Sequence, residues 1–182
     1  GAGGLSVAAG ACQFGIKVAL IEGHNMGGDC LNYGCVPSKA LLSSAKHYHA
    51  IKESAKFGFS AQAQPVIIKQ VMAKVQEVIA QIAPHDSVER FTQLGATVYR
   101  GYGSFVDEQS VKIDDDIISA KYFIIATGSS PVVPPIAGLD QVNYLTNETI
   151  FNLEETPEHL LVIGGGPIGC ELAQAFLMLG IK

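Results

Sequence analysis

One stretch near the end of the sequence limits the possible folds more than any other. Leu160-Leu161-Val162-Ile163 is an apolar run, and Gly164-Gly165-Gly166-Pro167-Ile168-Gly169 follows it directly. From there to Leu179 no residue interrupts a helix. Gly164, Gly166 and Gly169 have G-x-G-x-x-G spacing between a strand and a helix, the context that gives this pattern its meaning. The first glycine allows a tight turn, the second lets a pyrophosphate approach the backbone, and the third lets helix pack on strand. The helix N–H groups and macrodipole then face the phosphates. The stretch predicts an α/β fold with a dinucleotide site. The sequence ends at Lys182, before the acid or Arg that would separate NAD from NADP.

The opening of the chain reads as most of a second such unit. Gly1-Ala2-Gly3-Gly4-Leu5 leads into small and apolar residues at helical spacing up to Phe14, and Gly15 is a natural stop. Lys17-Val18-Ala19-Leu20-Ile21-Glu22 reads as a buried parallel strand ending in an acid. Gly1 and Gly3 would let a pyrophosphate approach, and Glu22 would accept from a ribose hydroxyl. The first strand of this unit is absent, because the sequence begins at Gly1.

Composition narrows the functional classes. At 182 residues the chain holds about one domain to one and a half. A net charge of −5 and the lack of any Lys/Arg run argue against a nucleic-acid partner. The longest uncharged stretch, Tyr122 to Leu139, contains Ser129, Ser130, Pro131, Pro134 and Pro135. It reads as a strand followed by a loop, not a membrane span. No signal peptide is visible, and four cysteines without one point to a reducing, cytoplasmic compartment.

Between the two glycine units, residues 66–83 are expected to form an amphipathic helix with Ile67, Val71, Val75, Val78, Ile79 and Ile82 on its packing face. A short helix over 88–94 and a strand over 97–99 follow. A β-meander is expected at 104–106, 110–113 and 117–119, with Asp114-Asp115-Asp116 as a solvated turn. Lys121 to Ala126 reads as another buried strand. Cys12 and Cys170 read as packing residues within helices.

The stretch Gly27 to Leu42 carries the chemistry. Cys30 and Cys35 are separated by four residues, and Pro37 sits where a helix can begin. Cys35 would therefore lie at a helix N-terminus, where dipoles and free N–H groups favour a thiolate. A second thiol nearby makes the pair a candidate dithiol–disulfide couple. Spacing alone leaves other readings open. These are two buried apolar cysteines, a structural disulfide, or a zinc site with His24, although no second ligand pair follows.

The full motif, Gly27-Gly28-Asp29-Cys30-Leu31-Asn32-Tyr33-Gly34-Cys35-Val36-Pro37-Ser38-Lys39, resembles the redox-active disulfide motif of the flavoprotein pyridine nucleotide-disulfide oxidoreductases. Its Pro-Ser-Lys ending resembles the dihydrolipoamide dehydrogenase and mercuric reductase branches. Ala126-Thr127-Gly128-Ser129 resembles the family's Ala-Thr-Gly motif, placed as there after a β-meander. The opening departs from the pattern, since its glycine loop is about two residues shorter than Gly-x-Gly-x-Gly-Gly.

The resemblance implies a Rossmann-like FAD-binding domain over residues 1–150, with a parallel sheet, flanking helices and a β-meander. It also implies the first βα unit of an NAD(P)-binding domain over 151–182. Electrons would pass between NAD(P)H, FAD and a Cys30–Cys35 disulfide, with Cys35 against the flavin and Cys30 meeting the substrate. Lys39 would reach the flavin and pair with Glu171. Gly1, Gly3, Glu22, Gly28, Asp29, Cys30, Lys39, Gly103, Thr127, Gly128 and Ser129 would contact FAD, and Gly164, Gly166 and Gly169 the nicotinamide nucleotide. No metal ligand is implied. The substrate would be a small-molecule or lipoyl-protein disulfide or dithiol, or Hg(II), and the full-length protein would be a homodimer. The chain is expected to be an N-terminal piece of a longer protein that does not turn over alone. Two other classes remain: a non-catalytic nucleotide-binding or redox-sensing module, and a small zinc protein built on Cys30, Cys35 and His24.

Overall fold

The computed structural model describes residues Gly1–Lys182. The chain forms two compact units, Gly1–Asn32 with Ala80–Ser130, and Tyr33–Ile79 with Pro131–Lys182.

In the first unit, helix α1 (Ala2–Gln13) starts directly after Gly1, and Leu5 N donates to Gly1 O at 3.0 Å. Ala2, Gly3 and Gly4 therefore make its first turn, where a separate glycine loop was expected. Strand β1 (Val18–Glu22) pairs in parallel with β2 (Ala96–Arg100), in register from Val18 opposite Ala96 to Glu22 opposite Arg100. A short helix α2 (Gly28–Asn32) follows β1. Helix α5 (Val88–Gln93) precedes β2, and the Ser87 side chain accepts from Arg90 N at its start, satisfying an otherwise orphan donor. Leu5 and Ala8 of α1, Leu20 of β1, Phe91 of α5 and Ala96 of β2 form the core. A separate antiparallel meander joins β3 (Gly103–Asp107), β4 (Ser110–Ile113) and β5 (Asp116–Ser119). Asp114 takes φ +49 in the two-residue turn between β4 and β5, and Asp116 belongs to β5.

In the second unit, α3 (Cys35–Lys52) packs on α6 (Pro167–Met178). Its core joins Leu41 and Ala45 of α3, Ala175 and Phe176 of α6, and Ile68, Met72 and Val75 of α4 (Ile68–Ile82). Ile150, Phe151, Leu179 and Ile181 complete it. Truncating a fully buried side chain such as Leu41 to Ala would cost about 2–5 kcal/mol. The packed stripe of α4 is rotated from the expected one. Ile68, Met72 and Val75 are buried, Val71, Val78, Ile79 and Ile82 are half-buried, and Ile67 is exposed. Thr156 fixes this start, since its Oγ1 accepts from Ile68 N at 3.0 Å.

Two strands expected from the sequence do not form. Residues 121–126 and 160–163 belong to no helix or sheet, and Ile125 and Leu161 are 74% and 88% exposed. An apolar run becomes a strand only where a neighbour takes up its N–H and C=O groups, and the one parallel pair, β1–β2, engages neither. Pairing begins only at the edge of the second run, where Leu160 N donates to Lys182 O at 2.7 Å and Lys182 N to Glu158 O at 3.2 Å. Both helices that flank glycine turns form as expected.

Candidate functional site

Glu22 ends β1, so its carboxylate lies at the carboxyl edge of the parallel pair, where open α/β sheets bind ligands. Its side chain is 13% exposed. Oε2 accepts from Gly1 N at 3.0 Å and Oε1 from His24 N at 3.0 Å. Burial pushes this carboxyl up, but the N–H donors of His24 and Gly1 and the Arg100 charge outweigh it together and hold the group below its ordinary range. The result is an ionised, acceptor-only group with lone pairs left for a hydroxyl donor. Gly3 is open, with nothing within 4 Å of where a Cβ would stand.

The cysteine motif begins on a turn that only glycine fits. Gly27 and Gly28 take φ +86 and +58, and a Cβ on Gly28 would lie 2.3 Å from Gly1 Cα. Asn32 Nδ2 holds this turn by donating to Met26 O at 3.0 Å and Gly28 O at 2.9 Å, which gives the motif's Asn a physical task. Asp29 is exposed in the first turn of α2, and Cys30 is half-buried in the same helix. Cys35 is exposed and is the first residue of α3, with Gly34 as N-cap. Pro37 and Ser38 are buried in the first turn, and Ser38 N donates to Gly34 O at 3.0 Å. Cys30 belongs to the first unit and Cys35 to the second.

Lys39 lies one turn beyond Cys35 on α3, and its Nζ is 2.6 Å from Glu171 Oε1 on α6. This ion pair joins residues 132 apart in sequence. Lys39 is 66% exposed and Glu171 26%. The pair sits beside the second glycine turn. Gly164 takes φ +112, and a Cβ on Gly169 would stand 2.7 Å from Gly164 O, so the turn folds tightly against the start of α6. Gly165 and Gly166 meet nothing within 4 Å, which leaves backbone open to a ligand in front of the helix. These residues fit a dinucleotide pyrophosphate, as Glu22 fits a ribose. Cys170 is exposed, contrary to its expected packing role, because the first turn of α6 faces outward here.

The remaining sequence candidates lie in the first unit. Thr127, Gly128 and Ser129 are exposed in a segment without regular secondary structure, and a Cβ on Gly4 would stand 3.5 Å from Ala126 Cβ. Gly103 opens β3, and a Cβ there would stand 2.9 Å from Val111 Cγ1 and 3.6 Å from Ile21 Cδ1. No group of three or more His, Cys, Asp or Glu is arranged to hold a metal ion. No helix is long and apolar enough to cross a membrane. Sequence reading missed Arg100, whose charge acts on Glu22, Tyr102, whose ring lies on Gly23, and the His24 N–H as a donor to Glu22, since His24 was considered only as a zinc ligand. The signal available was that β2 ends, like β1, at a charged residue.

The chain is similar to known proteins over its whole length. A family described as pyridine nucleotide-disulphide oxidoreductase matches residues 1–182. A mercuric reductase of Lysinibacillus sphaericus is 36% identical over 180 residues, covering 99% of this chain and 33% of the relative. A dihydrolipoyl dehydrogenase of Acholeplasma laidlawii is 35% identical over 187 residues, covering 100% of this chain and 55% of the relative. Among solved structures, an HOCl-induced flavoprotein disulfide reductase of Escherichia coli aligns with a TM-score of 0.81 at 28% identity, over 98% of this chain and 38% of that one. The chain thus spans about a third to just over half the length of these relatives. It belongs to the pyridine nucleotide-disulphide oxidoreductase family.

Proposed function

We propose that the protein carrying this chain is an FAD-dependent disulfide oxidoreductase that passes electrons between NAD(P)H, flavin and a Cys30–Cys35 disulfide. Its substrate in this reading is a lipoyl-type dithiol or disulfide. The observation that carries it is the cysteine motif, entering α3 at Cys35 and followed one turn later by the Lys39–Glu171 pair. Residues 1–150 would form the FAD-binding domain and 151–182 the start of the NAD(P)-binding domain. FAD, when bound, supplies a two-electron carrier between nicotinamide and thiol.

The chain's own residues have separable tasks. Glu22 accepts from the adenosine ribose, and the open backbone at Gly3 leaves room for the pyrophosphate. Cys35 lies against the N–H groups of α3, which favour negative charge. Lys39 places a cation on the same side of that helix, and Glu171 fixes its direction. Oxidation of the dithiol forms one S–S bond between Cys30 and Cys35 and releases two protons and two electrons. The full-length protein would be a homodimer in the cytoplasm.

A second reading, reduction of Hg(II) with NADPH, is favoured by the mercuric reductases among the relatives. Steady-state assays of the full-length protein separate the two. Lipoamide-dependent turnover that Cys30→Ser and Cys35→Ser each abolish supports the first reading. Turnover with Hg(II) alone supports the second. Peptide mapping that finds no Cys30–Cys35 disulfide in the oxidised protein contradicts both.

A further inference from the structure

Three consecutive residues at the carboxyl end of one strand, Arg100–Tyr102, hold three at the carboxyl end of the other, Glu22–His24. Glu22 and Arg100 are register partners at the carboxyl ends of β1 and β2. Gly101 N donates to Glu22 O at 3.1 Å. Arg100 Nη2 donates to His24 O. The Tyr102 ring lies on Gly23, where a Cβ would stand 2.7 Å from Cδ1 and Cε1. His24 N then donates back to Glu22 Oε1 at 3.0 Å, so the turn that Arg100 holds also fixes one carboxylate oxygen. Arg100 is exposed and belongs to none of the glycine or cysteine motifs.

We propose that Arg100 is a positioning residue for a nucleotide ribose site. With Gly101 and Tyr102 it clamps Glu22–His24 so that the Glu22 carboxylate meets the ribose hydroxyls of an adenine nucleotide. The inference rests on the reading of Glu22 as ribose acceptor. Arg100 itself touches no nucleotide. It acts through the His24 carbonyl, whose N–H neighbour orients Glu22. A loosened turn would leave the carboxylate in place but free to rotate, and only a ligand with ribose hydroxyls would register the change.

The test uses full-length protein freed of flavin. ADP and 2′,3′-dideoxyADP are titrated by calorimetry against the wild type, Arg100→Met and Arg100→Lys. Arg100→Met keeps the aliphatic stem and removes the donors. It should weaken ADP about tenfold, the worth of one charge-assisted hydrogen bond, and dideoxyADP by less than about twofold. Arg100→Lys should fall between wild type and Arg100→Met for ADP. Added to Glu22→Gln, Arg100→Met should cause no further loss, because both changes act on one contact. Retained dideoxyADP binding also shows that the variant is folded. Equal loss for both nucleotides, or loss for neither, overturns the proposal. If Arg100→Met does not fold, Arg100→Lys decides in the same way, since a shift confined to ADP supports the proposal and equal shifts overturn it. A wild type that binds neither nucleotide, or both alike, removes the ribose reading of Glu22 itself and the proposal with it.

Discussion

The two glycine-to-helix turns differ in what their glycines meet. At Gly164–Gly169 the constraint is internal, since a Cβ on Gly169 would strike Gly164 O while Gly165 and Gly166 face open space. At the chain's opening, Gly3 is open and the tight approach comes from Gly28, across from Gly1 in space and far along in sequence. The first turn thus depends on the cysteine motif's glycines for its shape, and the second depends only on itself. One fingerprint can be satisfied locally or by a distant segment, and spacing does not distinguish the cases.

Substitutions sharpen that contrast. Gly28→Ala should have the largest effect, since it combines a positive φ with a backbone clash, and stability should fall by about 3 kcal/mol in urea melts. Gly169→Ala should cost about 1–3 kcal/mol and weaken NADH or NADPH binding in parallel. Gly166→Ala should weaken nucleotide binding with stability within about 0.5 kcal/mol of wild type. If Gly166→Ala and Gly169→Ala behave alike in melts, the difference between open and packed glycines is not real.

Acid should act on the first turn more than the second. The folded Glu22 carboxyl lies below its ordinary 4.5, so its stabilising share is full above pH 4.5 and fades as the pH falls through the lower, folded value. Glu22→Gln should flatten that part of a stability–pH profile, and an unchanged profile would refute the assignment. The smallest effect should come from Glu171→Gln. Its partner Lys39 is mostly exposed, so screening limits the loss to about 1 kcal/mol or less in a thermal melt. A larger loss would mean that the pair does more than orient Lys39.

Helices were far more legible in the sequence than strands. Helices α1 and α6 follow from periodicity and glycine stops, because their hydrogen bonds are internal to the segment. The strands expected at 121–126 and 160–163 carry equally apolar residues but lack paired neighbours, which no local pattern records. The meander was legible because its hairpins pair neighbours in sequence. The start of α4 is held by Thr156, a residue 88 positions away that no local pattern picks out. At the site, the motif residues stood out by type and spacing. Arg100 did not, because its role appears only once β1 and β2 lie in register.

Every step of the proposed function turns on electron exchange between Cys35 and a bound flavin. Visible absorption of the full-length protein, recorded before and after anaerobic addition of NADH or NADPH, tests it most directly. The expected result is a flavin spectrum that gains a long-wavelength charge-transfer band in the wild type and lacks it in Cys35→Ser. A flavin spectrum with no such band, or a band that survives Cys35→Ser, would contradict it.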